Sequence, residues 1–139
     1  MNDCIFCRIV KGELPCTKVY EDDAVLAFMD IGPIIKGHVL VIPKAHYATL
    51  PEVPTELAAR VMVVVQKVAT ALMSALAADG VNVHQSNGAC AGQVVPHVHF
   101  HVIPRFNDDG HRWNWAAGKY ENPAEMAALG QRVRNAFTP

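Results

Sequence analysis

The chain has 139 residues, about half of them hydrophobic, which suits one ordinary domain. Its formal net charge of -1 argues against a protein built around a long nucleic acid, because such a partner calls for a basic stripe that neutralises many phosphates. The longest apolar run, residues 61–76, is broken by Gln66, Lys67, Thr70 and Ser74, so it falls short of the roughly 18 continuous apolar residues of a membrane helix, and no membrane partner is expected. Asp3, Lys11 and Glu13 stand where a secretory leader needs a basic start and an apolar run, so the expected location is a reducing cytoplasm in which the four cysteines stay unpaired.

Taken in chain order, the pattern predicts a short helical turn over residues 4–10, ended by Gly12 and Pro15. Val19-Tyr20 and residues 24–28 flank the polar Glu21-Asp22-Asp23 and read as a hairpin. A strand over 38–42 stops at Pro43. Thr55 is the expected cap of a long helix over 56–78, in which Leu57, Val61, Val64, Val68, Leu72 and Leu76 recur every three or four residues and Gly80 supplies a stop. That helix is apolar on more than one side, so a sheet and a partner subunit are expected to cover it. Strands follow over 81–85 and 95–103, joined by a small-residue loop, and a last helix over 123–137 starts with Asn122 as cap and Pro123 in its first turn. The βαβ rhythm and a GxGxxG loop are absent, so the fold class is α+β: an antiparallel sheet with one long helix and a shorter C-terminal helix.

His97, His99 and His101 alternate with Val98 and Phe100. On a strand this alternation puts the three imidazoles on one face, about 6.6 Å apart, around a phosphate-sized centre. His99, in the middle, is the natural nucleophile: a neutral imidazole attacks phosphorus without bringing negative charge, provided its other nitrogen holds the proton. Two other uses stay open, a three-histidine metal site and a solvent-facing strand without chemistry.

Gln93 precedes the triplet and offers an amide to a phosphate or leaving-group oxygen. Asn87 and Gly88 offer an amide and a backbone donor, and His38 opens another predicted strand. Each also reads as an ordinary turn or structural residue. Asp30 has the carboxylate for two vicinal ribose hydroxyls, or for capping a turn. Ile5, Phe6, Ile9 and Phe28 would line a slot for a nucleobase, or fill a core. Cys4 and Cys7 have the spacing of zinc ligands, with His46 and His97 as candidates to complete a closed site; redox chemistry and buried free thiols are the competing uses.

Residues 92–105, GQVVPHVHFHVIPR, resemble the signature of the histidine triad (HIT) family. The likeness extends to CIFC at 4–7, YED at 20–22, AFMDI at 27–31, GHVLVIPKAH at 37–46 and Asn87-Gly88. It implies a single HIT-like domain over 1–139, with a core signature at 4–106 and a variable tail at 107–139, and a homodimer whose subunits join their sheets. It also implies nucleotidyl transfer through a covalent histidine intermediate. By matching position, His99 resembles the nucleophile, His101, His38 and Gln93 the surrounding phosphate-site residues, Asp30 the ribose-binding acid and Asn87 a phosphate-site neighbour. In the zinc-bearing bacterial branch, related to purine nucleoside phosphoramidases and dinucleoside polyphosphate hydrolases, Cys4, Cys7, His46 and His97 resemble the ligands of a structural Zn2+.

The expected activity is hydrolysis at the α-phosphate of a small purine nucleotide conjugate, foremost a phosphoramidate. A dinucleoside polyphosphate is the alternative substrate, and a nucleotide-binding interaction module with weak turnover is the alternative class. Val94 departs from the serine that the phosphoramidase branch carries beside the signature glutamine. Trp113 and Trp115 in the tail are expected to extend the pocket or to seal the dimer.

Overall fold

The computed structural model describes residues 3–113 and 116–137; Trp115 lies outside them. The chain falls into two compact units, Met1–Asp109 and Gly110–Pro139.

The first unit begins with α1 (Ile5–Val10), for which Cys4 is the N-cap: its Sγ accepts from the Cys7 N–H at 3.4 Å. The hairpin is β1 (Lys18–Glu21) and β2 (Val25–Met29). Asp22 makes its turn by accepting from the Ala24 and Val25 N–H groups at 2.8 Å, and the bond from Ala24 is the main cause that holds its carboxyl below the usual range. With β3 (Val39–Pro43), β4 (Gly80–Gln85) and β5 (Phe100–Arg105), the strands form one sheet in the order β1-β2-β3-β5-β4, every neighbouring pair antiparallel.

Alternation along these strands gives the sheet two faces. Val25, Ala27, Val39, Val41, Phe100 and Val102 pack on Val61, Val64, Val65, Val68 and Leu72 of α2 (Thr55–Ala75). Each such aliphatic side chain, fully buried, contributes about 1.5–3 kcal/mol. Leu26, Phe28, Leu40 and Ile42 face the other way, onto Cys4 and Phe6. Although polar residues interrupt it, α2 is long and apolar enough on average to span a bilayer by length and composition alone, yet its inner stripe packs on the sheet. Its outer Met62, Val63 and Met73 stay exposed.

Several expected boundaries shift, three of them around the long helix and the last strand. Thr55 is the first residue of α2, not its cap; the cap position is Pro54, which has no side-chain acceptor to offer. The helix stops at Ala75, because Leu76 leaves the helical region and Ala77 turns left-handed at φ 52°, so Gly80 stands inside β4 rather than at the stop. The last strand starts at Phe100 instead of 95. Beyond Pro96, the His97 N–H turns back onto the Val95 carbonyl at 2.9 Å, and the Val98 N–H goes to the Tyr47 carbonyl at 2.8 Å instead of a ladder partner. Gly37 has φ +105°, and a Cβ there would stand 2.6 Å from Leu76 Cδ1 and 3.0 Å from Pro104 Cγ, so only glycine lets the turn before β3 close.

The second unit carries α3 (Pro123–Asn135), shorter by two residues than the sequence suggests. Asn122 caps it, accepting from the Glu125 N–H at 2.9 Å, and Pro123 occupies its first turn.

Candidate active site and metal centre

His38 precedes β3, and His101 lies on β5 opposite Leu40 and His84. Hydrogen bonds assign the protons on these rings. The Ile34 N–H donates to His38 Nδ1 at 3.1 Å, so in the neutral ring the proton sits on Nε2, which donates to His101 Nδ1 at 2.9 Å. His101 then keeps its own proton on Nε2. His99 is set separately: its Nδ1–H donates to the His97 carbonyl at 2.7 Å, which leaves the Nε2 lone pair free. The His99 and His101 rings stand 4.9 Å apart, and Phe6 packs its ring edge-on at 5.2 Å from His99.

Burial is the leading reason that His38, His99 and His101 all hold their pKa below the ordinary imidazole value, His101 at about 4. The three rings are therefore neutral near pH 7, the state an attacking or hydrogen-bonding imidazole needs. Asp30 approaches His38 Nε2 to 3.5 Å with one carboxylate oxygen, while the other accepts from the Gly32 N–H at 2.8 Å. Asp30, His38 and His101 bring ligand atoms within 4.8 Å of one another, a spacing that also suits a cation. The proton held on His38 Nε2 occupies the coordination position, so the arrangement favours a hydrogen-bond chain over a metal.

The loop between β4 and β5 is built by amides. Gln93 Oε1 accepts from the Gly88 N–H at 2.8 Å, while its Nε2 donates to the Ala48 and Val95 carbonyls at 2.6 and 3.1 Å. Asn87 Oδ1 accepts from the Leu50 N–H at 2.7 Å and from Gln85 Nε2, and Asn87 Nδ2 returns a bond to Gln85 Oε1 at 2.6 Å. Both side chains are thus struts that shape the loop. Phe6 and Phe28 are buried and meet edge-on at 5.6 Å; Ile9 packs partly against the same cluster, while Ile5 is exposed. The expected nucleobase slot is to this extent core.

A second centre lies behind the first. His97 does not share the face of His99 and His101 on a strand; it sits in the bend before β5, fully buried, and its Nε2 donates to the Pro43 carbonyl at 2.9 Å. That bond leaves the Nδ1 lone pair aimed at Cys4 Sγ at 3.4 Å, Cys7 Sγ at 3.6 Å and His46 Nδ1 at 3.2 Å, with Cys7 Sγ 3.3 Å from His46 Nδ1. Four ligands at zinc bond lengths of about 2.0–2.3 Å in a tetrahedron stand about 3.3–3.8 Å apart; the four separations above, 3.2–3.6 Å, are close to this, and all four ligand atoms lie within 4.8 Å of one another. Burial and Cys4 raise the Cys7 thiol, a penalty a cation reverses by stabilising the thiolate. The donor set therefore suits a metal ion.

The HIT domain profile matches residues 11–108, well over half of the chain. The chain belongs to the HIT family. It is 46% identical over 108 residues to an adenylylsulfatase of Arabidopsis thaliana, a match that covers 78% of this chain and 55% of that longer protein. It is 44% identical over 131 residues to an adenosine 5'-monophosphoramidase of Schizosaccharomyces pombe, covering 94% and 95%. A zinc-bound histidine triad protein of Mycobacterium smegmatis superposes with a TM-score of 0.75 at 37% identity, over 98% of this chain and 99% of that one. Within this HIT domain, the sequence reading missed the Ile34 N–H, the Pro43 carbonyl, Gln85, and the pair His84 and Ser86. Backbone partners leave no trace in residue types; His84 was visible as a histidine on the strand expected over 81–85, but its pairing with His101 was not.

Proposed function

We propose that this chain is a nucleotide hydrolase that passes the nucleotidyl group of an adenosine-like conjugate through His99. His99 Nε2 forms a bond to the α-phosphorus as the bond to the leaving group breaks. Water then displaces the histidine and releases the nucleoside monophosphate. The observation that carries this reading is the 2.7 Å bond from His99 Nδ1–H to the His97 carbonyl, which fixes the tautomer with Nε2 free. His101, holding its proton on Nε2 through His38, donates to a phosphate oxygen; Asp30 receives the ribose hydroxyls. The Gln93 and Asn87 struts hold the loop between β4 and β5 in shape, and the exposed Ile5, with Ile9 seated on the Phe6–Phe28 core, bounds the base.

A phosphoramidate is the leading substrate, supported by the activity name of the Schizosaccharomyces pombe relative and the extent of that match. A dinucleoside polyphosphate and a binding module with weak turnover are the alternatives the same assay separates. Cys4, Cys7, His46 and His97 would hold a structural Zn2+, which supplies a rigid tie between α1 and the sheet. The free cysteines fit a reducing cytoplasm, and a homodimer completes the assembly.

The test follows AMP release from an adenosine phosphoramidate and from a dinucleoside polyphosphate, with mass spectrometry of the quenched protein. The intact chain is expected to turn over the phosphoramidate faster and to show a nucleotidyl adduct; His99→Ala is expected to lose the adduct and at least 10³-fold in kcat/KM. An adduct that survives His99→Ala overturns the assignment. Stoichiometric nucleotide binding without turnover by the intact chain favours the interaction module.

A further inference from the structure

A nucleophilic histidine with no proton on its attacking nitrogen and a second histidine that hydrogen-bonds phosphate leave one chemical need unmet. An amine leaving from phosphorus must gain a proton, and the neutral Nε2–H of His101 is a poor acid. Position 94, where the resemblance leads one to look for a hydroxyl, is an exposed valine.

The sheet places another imidazole beside the site. His84 on β4 pairs directly with His101 on β5, so both side chains leave the sheet on the same face, and their ring centroids are 5.8 Å apart. His84 stands on the flank of His101 away from β3, opposite the flank held by His38 and Asp30. The nucleoside side is thereby taken by Asp30, and His84 stands on the opposite side, that of the group being expelled. Ser86 Oγ lies 3.0 Å from His84 Nε2 and orients the ring. His84 is also exposed, so it recovers a proton from water between turnovers.

Resting on the reading of His99 as nucleophile, we infer that His84, oriented by Ser86, is the proton donor to the leaving group. In the first step the His99 Nε2–P bond forms, the P–N bond breaks, and the proton moves from the His84 imidazolium to the departing amine. In the second step water attacks phosphorus, the His99–P bond breaks, the attacking water gives up its proton to solvent, and the exposed His84 ring is reprotonated from solvent. His84 ends as it began, protonated. Ser86 is a positioning residue in this scheme: its hydroxyl holds the His84 ring and does not touch the reacting atoms.

The test compares two substrates that differ only in how much they need an acid: an adenosine phosphoramidate with an alkylamine leaving group, and the p-nitrophenyl ester of AMP, whose leaving group departs unprotonated. His84→Gln keeps a polar partner for Ser86 but cannot act as the acid. It is expected to lower kcat for the alkylamine about 10²-fold and to change kcat for the ester less than about threefold. Ser86→Ala is expected to give a smaller loss with the same selectivity. Equal losses on both substrates would show a merely structural role, and no loss on either would show no role; both results overturn the proposal. The intact chain and His99→Ala are run alongside. Failure of the intact chain on both substrates, or turnover that survives His99→Ala, removes the nucleotidyl-transfer reading itself and the role of His84 with it.

Discussion

His101 is neutral because of its surroundings, and that neutrality links the site to stability. Burial first, then the rings of His99, His38 and His84, lower its pKa to about 4, with Asp30 opposing. In the unfolded chain the same ring takes up a proton near the ordinary value of about 6.5. Between these values the unfolded state binds more protons, so the stability contributed by neutral His101 is complete above about pH 6.5 and is lost as the pH falls toward 4. In urea melts the intact chain should lose roughly 2 kcal/mol more unfolding free energy between pH 7 and 4.5 than a variant without this imidazole. His101→Asn should flatten that slope, and an unchanged slope would refute the assignment. Residues of this kind were legible in part. The histidine alternation and Asp30 stood out in the sequence, whereas the direction of each proton depends on the Ile34 N–H and the His97 carbonyl, groups every residue type carries.

At the scale of elements, α1 has only six residues, too few to be stable by its own hydrogen bonds. Phe6 buries into the sheet, and Cys4 and Cys7 bring sulfur to His46 and His97; these contacts hold α1 in place. Cys4→Ala is therefore expected to abolish stoichiometric zinc retention, read by atomic absorption, and to lower Tm by about 5–10 °C while the far-UV spectrum stays close to that of the intact chain. Full zinc retention by that variant would remove Cys4 from the ligand set. Sequence patterning located α2 and all five strands, because both sheet faces and the inner helix stripe follow simple repeats, while the Asn122 cap and Pro123 located α3. It misplaced the start of β5, since the His-Val-His-Phe-His pattern continues the alternation backward past Phe100 into a bend created by Pro96 and the Tyr47 carbonyl. That error put His97 on the wrong centre by geometry, although the cysteine spacing had already made it a candidate ligand and the resemblance placed it with the cysteines.

For the molecule as a whole, β4 ends the sheet with one edge unpaired among the described residues. Val83 of that strand, with Met62, Val63 and Met73 of α2, leaves apolar surface exposed on the helix side. An edge of this kind invites a second strand, and a second copy joining edge to edge would extend the sheet. Sedimentation should find a dimer in the intact chain, shifted toward monomer by Val83→Asp; a monomer at micromolar concentration in the intact chain would refute the pairing. The α+β class was readable from the rhythm of elements, but the strand order was not, because β4 lies outside β5 through contacts between residues about twenty apart.

His97 faces two masters. Its imidazole looks toward the cysteines, while its carbonyl oxygen holds the proton of His99. Mutagenesis can alter the first and can only displace the second. A scan of substitutions at position 97 would accordingly register as damage to catalysis even where the lost side chain never approaches substrate, and chelation would dull the nucleophile by loosening a peptide group before the sheet melts. Anyone redesigning the metal centre, by exchanging its ligands or replacing it with a disulfide, would be retuning the chemistry at His99 at the same time.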